Sequence, residues 1–179
     1  GVRHQEVSMD STIIGAVIGA CATLVAVLIS WKLQQKRVSA HDLELFEKYK
    51  DLFVSNSVAE FYRQHDFLAS FPEKYWTPLS VYVDNWHKPE FEFSDPGLNK
   101  THKSLYKAAE QLATTIAGNT VTIAPNYSMR SVKPDNLPFG PVPEYIKAEA
   151  AEINRLVPSF ISAHDAFIKL GIKSLYKNA

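Results

Sequence analysis

The chain has 179 residues, 46% hydrophobic and 21% charged, and its 19 Lys and Arg balance 19 Asp and Glu. Zero net charge excludes a chain-wide basic field for gripping nucleic acid, and 12% aromatic content excludes an intrinsically disordered chain. A single cysteine excludes an intramolecular disulfide framework and any multi-cysteine zinc site.

Residues 1–10 read as a short N-terminal tail; the first eight are set aside because Met9 can serve as a start. From Ser11 to Trp31 no side chain is charged and no proline interrupts the run. A helix of that length spans roughly 30 Å, the hydrocarbon thickness of a bilayer. Backbone polar groups in lipid must be satisfied within a lone segment, so the expectation over 11–31 is a transmembrane helix. A cleavable signal would end in small residues, whereas this run ends in Trp31-Lys32. Ile18-Gly19-Ala20-Cys21 suggests a lipoprotein signal, but mostly apolar residues continue past Cys21 where a lipoprotein turns polar. Trp31 marks the membrane interface, and Lys32, Lys36 and Arg37 behind it are placed to touch anionic lipid. These charges put the short N-terminus outside and residues 32–179 in the cytoplasm, at the cell membrane. Gly15 and Gly19 form a G-x-x-x-G pattern, so two helix backbones can approach closely there and associate.

Helical spacing dominates beyond residue 32. Val38, Asp42, Leu45, Phe46, Tyr49, Leu52 and Phe53 make a first stripe, with a break possible at Ser39 and an end at Ser55-Asn56-Ser57. A second helix is expected over about 58–70, with Val58, Phe61, Tyr62, His65 and Leu68 on one face and Phe71-Pro72 as its stop. Thr77-Pro78 has the form of a cap followed by proline, which predicts a short helix over 78–87; the β-branched and aromatic content of 73–93 leaves a strand open. Asp95-Pro96 repeats the signal and opens a helix to about Ala117, with Leu98, Leu105, Ala109, Leu112 and Ile116 on its stripe. Pro125, Pro134, Pro138, Pro141 and Pro143 exclude a helix over 119–143, where 120–123 has the composition of a short strand. The last helix is expected from about Pro143 to Tyr176, kinked at Pro158, with Ile146, Ala150, Ile153, Leu156, Phe160, Phe167 and Leu170 facing inward. Together these give an all-α protein: a single span followed by an antiparallel bundle of about four helices, the 78–87 segment an extra, with a long proline-rich loop before the last helix.

Motifs that carry chemistry are few. The dipeptide His-Asp occurs three times, as His41-Asp42, His65-Asp66 and His164-Asp165. It resembles the pair with which metal-dependent phosphohydrolases of the HD superfamily hold divalent ions, and the resemblance is confined to the dipeptide. It implies a metal site built from His41, His65, His102, His164, Asp66 and Asp165. That family's pattern needs a further upstream His and a downstream Asp, and adjacent residues on a helix point about 100° apart. The expectation is therefore no catalytic residue, no metal and no cofactor. Glu90, Glu92 and Asp95 flank Phe91 and Phe93 as a solvated edge around two docking aromatics. Lys100, Lys103 and Lys107, and Lys169, Lys173 and Lys177, read as solvated helix faces, with a lipid-headgroup or a nucleic-acid contact left open. No P-loop, dinucleotide or serine-hydrolase motif is present. The function expected is a single-pass, membrane-anchored interaction protein: an adaptor, a sensor element or an accessory subunit of a membrane complex. Its partners would be membrane lipids and a protein, or a second copy, met through the span and an aromatic-rich helical face, and not nucleic acid. The alternative is an anchored metal-dependent hydrolase using the six His and Asp residues named.

Overall fold

The computed structural model describes Val27, Ser30 and residues 40–124, 128–138 and 140–176. The chain divides into two compact units, Gly1–Ala40 and His41–Ala179, and the fold described is that of the second. Among the described residues no helix is long and apolar enough to cross a membrane. The expected span 11–31, with Gly15, Gly19, Trp31 and the basic residues Lys32, Lys36 and Arg37, lies outside the described residues apart from Val27 and Ser30.

The domain is mostly helical. Helix α1 covers 40–53, α2 Val58–Gln64, α3 Glu73–Asn85, α4 Pro96–Asn119 and α5 Glu144–Leu175, with a 3₁₀ turn at Pro89–Phe91. The all-α expectation needs correction, because Phe71–Pro72 (β1), Val121–Ile123 (β2) and Met129–Ser131 (β3) form a small antiparallel sheet in the order β1-β3-β2. Phe71 pairs with Arg130, and Val121, Thr122 and Ile123 pair with Ser131, Arg130 and Met129.

The amphipathic stripes set the helices against one another. On α1, Leu45, Phe46, Tyr49 and Phe53 are buried, while Glu44 and Lys48 pair on the outer face at 2.7 Å. Helix α4 begins where local chemistry dictates. The Asp95 carboxylate accepts the Leu98 N–H at 2.8 Å, and Pro96 occupies the first turn, where a missing N–H costs nothing. Its inner face buries Leu98, Leu105, Ala109, Leu112 and Ile116. Helix α5 packs chiefly along α4 and runs through Pro158 as one element of 32 residues. Early α4 meets late α5, with His102 and Phe167 rings 5.8 Å apart, so the two helices are antiparallel.

Two expected boundaries move, both for tertiary reasons. Helix α2 stops at Gln64, not near residue 70. The Asp66 carboxylate accepts the Leu68 N–H at 3.0 Å, and the Asn154 side chain on α5 accepts the Phe67 N–H at 3.1 Å. These bonds replace helical ones and turn Phe67 into the core. Helix α3 starts at Glu73, not behind Thr77. Its first N–H donates to the Ser128 carbonyl at 2.7 Å, extending the line of the β1–β3 pairing. Pro78 then lies inside the helix, and the Thr77 hydroxyl turns back to the Glu73 carbonyl at 3.1 Å.

Arg130 clamps the sheet to the bundle. It donates to Glu73 Oε1 at 3.2 Å, to the Thr120 hydroxyl at 3.1 Å and to the Thr120 carbonyl at 3.4 Å, and it stacks 4.8 Å from the Trp76 ring centre. A guanidinium suits this role because its planar fork makes several bonds while its face lies on an indole.

Two glycines test the packing. A Cβ on Gly171 would fall within the van der Waals shell of the buried Phe46 ring, so Gly171→Ala should destabilise the fold by about 1–3 kcal/mol. A Cβ on Gly118 meets nothing within 4 Å, so Gly118→Ala should stabilise it by up to about 1 kcal/mol. Denaturant midpoints should move in opposite directions, and equal shifts would refute the α1–α5 contact.

Candidate functional site

The six candidate His and Asp residues do not gather. His41 is exposed, with Nε2 3.3 Å from the Glu92 carbonyl. Asp42, its neighbour, is buried, and its two carboxylate oxygens accept the N–H groups of Ser94 at 2.7 Å and Asp95 at 2.8 Å. His65 stacks on Phe61 with ring centres 4.5 Å apart and bonds the Ala69 carbonyl at 3.2 Å. Burial lowers its pKa, opposed by that bond. Asp66 is held ionised below the ordinary carboxylate range by the Leu68 N–H first and the Asn154 amide second, the latter at 2.8 Å. Asp165 faces outward into a two-pronged pair with Arg63, at 2.6 and 3.1 Å, and the Arg63 hydrogen bond lowers its pKa.

His102 and His164 are buried in one aromatic layer. His164 Nδ1 lies 2.6 Å from the Tyr49 hydroxyl. Around the Tyr49 ring stand Phe53, Tyr82, Trp86, Phe167 and the imidazole of His164. Burial pushes the Tyr49 phenol well above its ordinary pKa and pulls His164 down to about 4, so both groups are neutral and one proton bridges them. His102 packs among Tyr82, Trp86, Phe93 and Phe167. Burial first, and the Lys103 charge second, lower its pKa to about 4. Its Nε2 and the Tyr82 hydroxyl are buried without a hydrogen-bond partner among the described residues. Phe93 is buried and Phe91 lies against Trp86 at 4.9 Å, so the two aromatics of the 89–95 connection dock as their flanking acids suggest.

Among the described residues no three His, Cys, Asp or Glu side chains lie close enough together to hold a metal ion. The aromatic faces of α1, α2 and α3 point largely into the domain's own core, and Tyr145 and Tyr176 are exposed. Among the described residues a shallow concavity of about 500 Å³ runs along α4, lined by Pro96, Asn99, Lys100, Lys103, Ser104 and Lys107. Lys103 pairs with Glu92 at 3.0 Å.

Sequence reasoning missed the Tyr49–His164 bond and the Arg130 clamp. The first had a signal: Tyr49 lies on the α1 stripe, and His164 lies four residues after Phe160 and three before Phe167 on the α5 stripe. The clamp had none, because its partners are at residues 73, 76 and 120. No protein-family model matches the chain, and neither a curated protein nor a solved structure does.

The two buried imidazoles fix a pH dependence. Their folded pKa is about 4 against an ordinary 6.5. Below pH 6.5 the unfolded chain takes up protons that the folded chain refuses until about pH 4. The stability these two imidazoles contribute is therefore full above 6.5, falls between 6.5 and 4 and is lost below, where the depressed carboxylates of Asp66 and Asp165 continue the decline. The loss should be on the order of a few kcal/mol in total. Urea midpoints of the full chain in mild detergent should decline over that window, and His164→Gln should flatten the decline. An unchanged slope in that variant would show that His164 titrates freely in the native state.

Proposed function

We propose that this chain is a single-pass, membrane-anchored helical interaction protein: an adaptor, a sensor element or an accessory subunit of a membrane complex. Residues 11–31 anchor it, the N-terminus is outside, and the globular domain stands in the cytoplasm at the cell membrane. What carries the reading is the uncharged run from Ser11 to Trp31 followed at once by Lys32, Lys36 and Arg37. The domain's own chemistry favours binding over catalysis. Asp42, Asp66, Asp165, His65 and His164 each make bonds that hold the fold, and no pocket gathers them. Gly15 and Gly19 are the place for close approach to a second copy or to a partner's helix.

Carbonate should leave the chain in the membrane pellet, detergent should release it, and a C-terminal reporter should be active only in the cytoplasm. Release by carbonate, or a reporter active outside, overturns the anchor. Gly15→Ile together with Gly19→Ile should change the oligomeric state in detergent or remove a co-purifying protein; no change in either reduces the span to a tether. Elemental analysis should find no stoichiometric zinc, manganese or iron. A metal lost on changing His65 or His164 would instead favour the hydrolase.

A further inference from the structure

The end of the domain where the chain comes in is built from three elements. Asp42, on the first turn of α1, bonds the backbone of Ser94 and Asp95, so α4 begins there. The last turn of α5 lies there too: Gly171 abuts Phe46, and the Tyr176 hydroxyl meets Glu47 and, at 3.0 Å, Lys50. The first turns of α4 and the last turns of α5 thus share the incoming end.

Residues 96–104 and 168–175 carry Lys100, Lys103, Lys169 and Lys173, all exposed, and no Asp or Glu. Of these only Lys103 has a carboxylate partner among the described residues, Glu92, and that pair is solvated on both sides, 64% and 55% exposed. On α5, next to Lys169 and Lys173 in the sequence, Ile172 is 51% exposed and Tyr176 40%. Four exposed lysines, three of them without a carboxylate partner among the described residues, on helices that also expose an aliphatic and a phenolic side chain are the composition of a surface that meets lipid headgroups. The connection from Trp31 to His41 reaches at most about 35 Å even if fully extended, so an anchored chain keeps this end near the bilayer.

We propose that the lysines of early α4 and late α5, with Ile172 and Tyr176 beside them, form a docking surface for an anionic lipid bilayer. The proposal rests on the anchored reading, and the two fail separately. The exposed isoleucine favours headgroups over a nucleic acid, whose bases can stack on a tyrosine but offer an aliphatic side chain little to bury against.

The test uses the full chain with Cys21→Ala, reconstituted in vesicles of phosphatidylcholine alone or mixed with phosphatidylglycerol. An environment-sensitive fluorophore is placed at Ser104→Cys and, as a control at the far end of α4, at Ala117→Cys; acrylamide is the quencher. Phosphatidylglycerol should shield the probe at 104 and not at 117. Each lysine should contribute roughly a fivefold preference for the docked state. Lys100→Gln with Lys173→Gln should therefore expose the probe again, as should raised salt with the wild-type lysines. Equal quenching in both lipids, or shielding indifferent to salt and to the lysines, overturns the surface while carbonate resistance still supports the anchor. Carbonate release with lipid-dependent shielding intact removes the anchor and leaves the surface. Stronger shielding by single-stranded RNA over neutral vesicles than by phosphatidylglycerol overturns the lipid assignment.

Discussion

The domain is organised around a phenol that must be buried. The Tyr49 ring touches residues of α3 and α5 as well as its own helix, so removing it would part three elements at once. A buried hydroxyl without a partner is costly. His164 supplies the partner, and only in its neutral form does it fit an apolar layer of rings. Phe53 stacks on Tyr49, and Tyr82, Trp86 and Phe167 pack edge-on to it, arrangements that ring quadrupoles favour.

The three His-Asp pairs show why a repeated dipeptide need not be a repeated site. Neighbours on a helix diverge by about 100°, so a pair at the margin of a buried face sends one member in and the other out. His164 goes in and Asp165 goes out to Arg63; Asp42 goes in and His41 stays at the surface. His65-Asp66 is not helical at all, and both side chains close the loop after α2. The carboxylates and imidazoles are thus distributed as fold-holding groups over three corners of the domain.

How legible each element was depends on where its determinants lie. Asp95-Pro96 announces α4 because cap and proline act on their own backbone, and the stripes of α1, α4 and α5 announce the core because burial follows helical period. Leu105, Leu112, Ile153 and Phe160 are fully buried as those stripes require, while Phe61 and Leu156 lie at the margin. The start of α3 is set by Ser128, far along the chain, and the end of α2 by distant Asn154 together with the local turn of Asp66 onto the Leu68 N–H. The sheet was half legible: 120–123 has strand composition, but its neighbour Met129–Ser131 and the edge Phe71–Pro72 exist as strands only by pairing. Of the candidate site, the divergence of His from Asp within the helical pairs followed from helix geometry, whereas the joint burial of His102 and His164 required the three-dimensional packing of α4 on α5.

The Asp42 latch also decides how the domain bears a load. A tension applied through the preceding chain arrives at residue 41, one position from a carboxylate bonded to two successive backbone N–H groups of the segment that starts α4. Those two bonds share the strain, and it passes directly into the 24-residue helix that packs along α5. A pull on the preceding chain therefore loads the start of α4 as well as the first turn of α1.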